Sequence, residues 1–211
     1  MAYDLDEQEK LDSLKAWWAR YGLAVSAALL VVMASLAGWQ GWRWYEAHRA
    51  TQAMGYFEAL QEAAGQQGDD AAARIKAASA TLRDDFPGTP YAGRGALLAA
   101  HALAERKDVA GAREQLEWLA QAKDTTLQGV ARLRLAGLLL DQKEYDAALA
   151  QLNDVPAGFA SLYADRRGDV LAAQGKREEA RAAWDSAVKS LEPGSPLAAA
   201  LQLKIDALGG A

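Results

Sequence analysis

Two hydrophobic patterns divide this chain. From Tyr21 to Trp42 no residue is charged, and Arg20 and Arg43 close the run on either side. Beyond it, apolar residues recur every three to four positions and are interrupted by polar or Gly/Pro clusters. The first pattern belongs to a helix that is apolar all round, the second to amphipathic helices with one buried stripe. No segment alternates with period two. The expectation is therefore an all-α chain: one long apolar helix near the N-terminus, then stacked amphipathic helices.

The turn signals set the boundaries. Residues from Arg43 to Ala64 continue the first helix until Gly65-Gln66-Gln67-Gly68 breaks it. Asp69-Asp70 is read as the cap of a helix running to about Asp85, and Phe86-Pro87-Gly88-Thr89-Pro90 breaks that one. Ser195 is read as the cap of a last helix, with Pro196 in its first turn and its end at Leu208 before Gly209-Gly210.

The uncharged run covers 22 residues, and about 20 at 1.5 Å each cross a bilayer's hydrocarbon. Trp18 and Trp39 lie roughly 31 Å apart along a helix. Aromatic residues collect at both edges, with Trp17, Trp18 and Tyr21 before and Trp39, Trp42, Trp44 and Tyr45 after. Two such belts mark headgroup regions. A cleaved signal is the rival reading, with Ser35-Leu36-Ala37 as its site. Its leader would be 20 residues long and acid-rich, and its apolar run too long. The boundaries are read as a tail over 1–20, an anchor over 21–43 and a helical domain over 44–211. Lys10, Lys15 and Arg20 before the run outnumber Arg43 and Arg49 after it, which favours a cytoplasmic N-terminus. Ala34 and Gly38, like Ala37 and Gly41, stand four apart, a spacing that lets another membrane helix approach. In the tail, Leu11, Leu14 and Trp18 share one helical face.

The helical domain repeats. "LLAAHALAERKDVAGAREQLEWL", "RLRLAGLLLDQKEYDAALAQLNDV" and "ADRRGDVLAAQGKREEARAAWDSAV" each read as helix, polar turn, helix. A small residue on each first helix is matched by another twelve positions later: Ala100/Ala112, Ala136/Ala148 and Gly168/Ala180. Four residues further comes a bulky one: Leu116, Leu152 and Trp184. Antiparallel helices joined by a tight turn cross closely where small side chains meet, and the bulky residue fills the wedge toward the next pair. Such pairs bury their apolar faces only by stacking. The helix before Gly65 and the one after Gly68 form a candidate fourth, degenerate pair.

Composition narrows the function. The net charge is −5, split into −2 over residues 1–20 and −3 over the rest. No basic block follows the anchor, which argues against a nucleic-acid binder. Cysteine is absent, so disulfides and thiolate chemistry are excluded. His48 and His101 have no partner at ligand spacing, so no metal site, cofactor or catalytic residue is expected. Arg167-Gly168-Asp169 spells an adhesion triplet, but Gly168 stands at a packing position.

The run "Gly168 … Leu171 … Ala180 … Trp184 … Ala187" resembles the tetratricopeptide repeat, although the first two repeats carry Ala where that family favours Gly and all three lack its early Trp. The whole chain is similar to the YfgM family, ancillary subunits of the bacterial Sec translocon. The tail "DEQEKLDSLKAWWARYG" and the stretch "DFPGTPYAGRGALLAAHALAERKDVAGAREQLEWL" carry that resemblance. It implies an inner-membrane protein with a periplasmic repeat domain, partnered by SecYEG and by PpiD, a membrane-anchored chaperone. The expected role is a tethered adaptor that assists exported polypeptides. An envelope assembly scaffold with another partner is the alternative, and the small-residue faces also permit a homodimer. Register places Arg94, Arg132, Arg134, Tyr163 and Arg166 on the first-helix faces as candidate contact residues.

Overall fold

The computed structural model describes residues 2–209, and within them nine helices and no strand. Helix α1 covers Ala2–Gly65, and the chain divides into two compact units at residues 51 and 52. The described residues of the first unit, 2–51, are a single stretch of α1. Among the described residues, one helix segment, within Glu9–Gly65, is long and apolar enough to cross a membrane. Part of the 1–20 tail (residue 1 and the side chains of residues 2–8) lies outside the described residues.

The second unit begins with the last turns of α1. Helix α2 follows (Asp69–Asp84), then α3 (Pro90–Glu105) and α4 (Val109–Leu119), α5 (Thr125–Asp141) and α6 (Tyr145–Gln151), α7 (Ala160–Ala173) and α8 (Arg177–Lys189), and finally α9 (Leu197–Gly209). Each pair has a first and a second helix joined by a tight turn. At the same place in the three turns stand Lys107, Lys143 and Gly175, with φ of 62°, 62° and 79°. Glycine takes this left-handed backbone freely, while lysine does so at a cost.

The N-termini are capped in two ways. The Asp108 carboxylate accepts from the Gly111 N–H at 3.0 Å, and Asp124 accepts from the Thr126 and Leu127 N–H groups at 2.8 and 3.0 Å. These bonds satisfy donors that a helix start leaves free. Helix α2 departs from expectation. Its N-cap is Gly68, at φ 114° and with no side-chain cap bond, so the chain turns into α2 on glycine geometry. The Asp69 side chain and Gly210, both part of the expected boundaries, lie outside the described residues.

All nine small and bulky packing positions are buried: Ala100, Ala112, Leu116, Ala136, Ala148, Leu152, Gly168, Ala180 and Trp184. The bulky residue acts first within its own pair. A Cβ at Gly168 would stand 2.3 Å from Trp184 Nε1, so only glycine admits the indole there. The same N–H donates to the Asp165 carbonyl at 3.2 Å. Beyond the pair, Leu201 and Ile205 of α9 close the core around Trp184 and Leu171.

Residues 52–65, α2 and α3 share a core of Leu60, Ile75, Leu82, Leu103 and their neighbours. The α1 carboxyl end is held by Arg106 of the α3–α4 turn. Its guanidinium donates to the carbonyls of Ala64 at 2.8 Å, Gln66 at 2.5 Å and Ala102 at 2.8 Å. One side chain thus satisfies several acceptors that helix ends would leave bare. The second helices are also tied by ion pairs: Arg83 to Glu114 at 2.8 Å, and Arg113 to Glu144 at 3.0 Å. Both pairs span 31 positions.

Candidate interaction surfaces

The α1 segment of the first unit presents its apolar side chains outward. Leu23 is 88% and Leu30 71% exposed, and Val31, Val32, Met33 and Leu36 are all uncovered. Such a surface is stable only in an apolar solvent or against a partner. Within the run, the Ser35 hydroxyl is satisfied by its own helix: Ser35 Oγ donates to the Val31 carbonyl at 2.8 Å. At one edge Trp17 lies 6.3 Å from Trp18 and 5.8 Å from Tyr21. At the other, Arg43 sits 5.0 Å from the Trp39 ring, Trp42 lies 6.2 Å from Tyr45, and Trp44 stacks on His48 at 5.6 Å. Ala34, Gly38, Ala37 and Gly41 are exposed, and a Cβ added at Gly38 or Gly41 would meet nothing within 4 Å.

In the second unit, the candidate contact residues separate. Arg94 and Arg134 are exposed. Arg132 is half-buried, 3.9 Å from Asp154. Arg166 lies over Gly137, where a Cβ would meet its guanidinium carbon at 3.5 Å, and pairs with Asp169 at 3.6 Å. Tyr163 is corrected: it is 1% exposed and belongs to the core, not to the contact face. Its hydroxyl donates to the Gly129 carbonyl at 3.0 Å, and burial pushes its pKa up. Register alone could not separate a tyrosine facing solvent from one tying α7 to α5.

Beside Arg166, Lys204 of α9 reaches Asp165 and Asp169 at 2.5 and 2.7 Å. Burial opposes its charge, but the hydrogen bonds it donates to both carboxylates outweigh it and hold the ammonium above its ordinary pKa. The Asp108 carboxylate is held below its usual range, chiefly by the Lys76 ammonium at 2.5 Å and then by the Gly111 N–H.

Sequence reasoning missed a second packing code. A Cβ at Gly93 would stand 2.6 Å from Leu127 Cδ1, and one at Gly129 would stand 3.0 Å from Phe159 Cε2. The signal was present: Gly93 and Gly129 are 36 apart, as Ala100 and Ala136 are, and Leu127 and Phe159 are 32 apart, as Ala136 and Gly168 are. The residue just before or at the start of each first helix therefore packs on the preceding first helix. Tyr91 does the same against Phe57, with ring centroids 5.6 Å apart. That contact extends the code to residues 52–65, with Phe57 in place of the glycine.

A groove of about 1060 Å³ also escaped notice. It lies along the loop edge, between the α2–α3 and α4–α5 connections. Pro87, Pro90, Arg94, Trp118, Lys123 and Leu127 are among its lining residues. No group of three or more His, Asp or Glu capable of holding a metal occurs among the described residues. His101 pairs with Glu105 at 3.4 Å on open surface.

Comparisons with known proteins agree with this architecture. A family model described as tetratricopeptide repeat-like domain matches residues 15–210. Among curated relatives, an ancillary SecYEG translocon subunit of Neisseria gonorrhoeae is 36% identical over 99% of this chain and 100% of its own. Proteins of the same name from Escherichia coli and Haemophilus influenzae are 28% and 27% identical. They cover 96% and 90% of this chain, and 97% and 92% of their own lengths.

Proposed function

Because the chain belongs to the ancillary SecYEG translocon subunit family and carries its tetratricopeptide repeat-like domain, we propose that it is a membrane-tethered adaptor at the Sec translocon. Full-length similarity to relatives bearing that name is the observation that carries the reading. The exposed apolar run with its aromatic edges supports an anchor over residues 21–43, with the tail over 1–20 in the cytoplasm and 44–211 in the periplasm. In this reading the repeats link SecYEG to a periplasmic chaperone of the PpiD type and assist chains as they emerge. The tether raises the local concentration of the binding surface where those chains appear. The contact region is the first-helix layer around Arg94, Arg132, Arg134 and Arg166. Ala34, Gly38, Ala37 and Gly41 form the face offered to another membrane helix, a second copy included.

Photo-crosslinking in intact membranes tests this, with probes at Trp18, Gly38, Arg132 and Arg166. The expected result is adducts with translocon subunits from the first two positions and with a periplasmic chaperone from the last two. Adducts with outer-membrane assembly proteins alone would replace this reading with the envelope scaffold.

A further inference from the structure

We propose that the loop-edge groove beside α3 and α5 binds an extended polypeptide segment in which an aromatic side chain neighbours a carboxylate. This goes beyond the translocon reading, because it names a groove at the loop edge of the first-helix layer, which shares Arg94 with that layer, and the chemistry that fills it.

The aromatic half of the argument comes from the next pair along. Where α7 enters, Phe159 lies against Gly129, and Tyr163 meets it edge-on at 5.9 Å. The chain itself fills that junction with a ring. At the matching junction one pair earlier, Gly93 meets Leu127, and the groove of about 1060 Å³ remains. That volume is at the upper end for ligand sites and holds several side chains rather than one. Leu127 holds the place that Phe159 holds at the neighbouring site but fills less of it, and the apolar lining from Pro87, Pro90, Trp118 and Leu119 suits a ring laid beside Leu127.

The carboxylate half comes from electrostatics. Arg94 and Lys123 both line the groove, and neither has an ion-pair partner among the described residues. The one acid in the lining, Asp124, is already used by the N–H groups of Thr126 and Leu127. Helix α3 starts at the same groove without a side-chain cap. Its N-cap residue Thr89 instead turns its hydroxyl to the Phe86 carbonyl at 2.9 Å. The positive end of the α3 dipole thus has no side-chain acceptor, beside two cations without an ion-pair partner among the described residues. A carboxylate next to the inserted ring satisfies all three.

The test uses the full chain in detergent micelles and a fluorescein-labelled probe, the amide of glycyl-seryl-phenylalanyl-aspartyl-serine. Binding is followed by anisotropy. The expectation is saturable binding that weakens about tenfold when asparagine replaces the peptide's aspartate, and as much when alanine replaces its phenylalanine. The double variant Arg94→Gln with Lys123→Gln changes only surface side chains. It should weaken the parent peptide about tenfold and the asparagine peptide hardly further, because both changes remove one interaction. No binding at millimolar peptide overturns the proposal. So does equal affinity for wild type and the double variant, or indifference to the ring. Self-association that the double variant abolishes would assign the groove to a second copy instead. The translocon is absent from this assay, so its outcome and the crosslinking outcome fail independently.

Discussion

Gly38 and Gly168 are the same residue in opposite surroundings. A Cβ on Gly38 would meet nothing, and a Cβ on Gly168 would strike the Trp184 indole. The run from 21 to 43 turns its leucines and valines outward, while the repeats turn theirs inward and expose arginine and glutamate. Both are built largely from Ala, Leu and Gly, so composition does not set the difference. Pattern does: an unbroken apolar run has no polar side to give to water, and a stripe of period 3.6 has one. Small residues therefore do different work. In the repeats they are already filled by a neighbour, and in the span they are still open to one.

The largest effect expected is on the filled side. Trp184→Ala removes the indole that α7, α8 and α9 close upon, and should cost about 3–5 kcal/mol in denaturant titration of the repeat domain. Leu30→Arg breaks the other side. A charge at mid-span costs about 2.5–3.5 kcal/mol of insertion, so carbonate extraction should release a large share of the variant. A matched pair then sharpens the contrast directly. Gly168→Ala should destabilise by about 1–3 kcal/mol through overpacking, whereas Gly38→Ala should leave stability within about 0.5 kcal/mol. Equal effects of the two would sink the distinction.

The turns offer a gain. Lys143→Gly relieves a left-handed lysine, and thermal unfolding should show about 0.5–1 kcal/mol of added stability, as the Gly175 turn enjoys already. The smallest effect concerns acid. Folding holds the Asp108 carboxylate below its usual pKa, so its contribution is complete above the unfolded value near 3.8 and fades as pH falls through the lower folded value. Lys76 is half exposed, so the contribution is about 0.5–1 kcal/mol. Lys76→Ala should flatten the stability–pH curve below about pH 4 and change it little at neutrality.

Much of the fold was legible. The helix pairs followed from period and turn residues, because burying a stripe and stopping a helix are local matters. The small and bulky positions could be aligned because their spacing repeats. What escaped was set by neighbours distant in sequence. Tyr163 carries nothing in its own surroundings to say that its hydroxyl meets Gly129 across 34 positions. The Gly93/Leu127 and Gly129/Phe159 contacts share the repeat's spacing, yet they join different repeats, so aligning each unit on itself hides them. The groove is less legible still, since it arises from a smaller side chain at one of two matching junctions.

The stacking of the helix pairs, tied by ion pairs from α2 to α4 and from α4 to the start of α6, carries one more consequence. Every interior helix pair packs on neighbours at two sides, while the two ends of the stack pack at one; α9 is held by Leu201 and Ile205 in the core and by Lys204 on Asp165 and Asp169. In a stack coupled only between neighbours, opening starts where the coupling is single. The repeat domain therefore opens from its ends and not from its middle. Amide exchange and proteolysis that enter at α9 uncover Trp184 next and travel inward pair by pair.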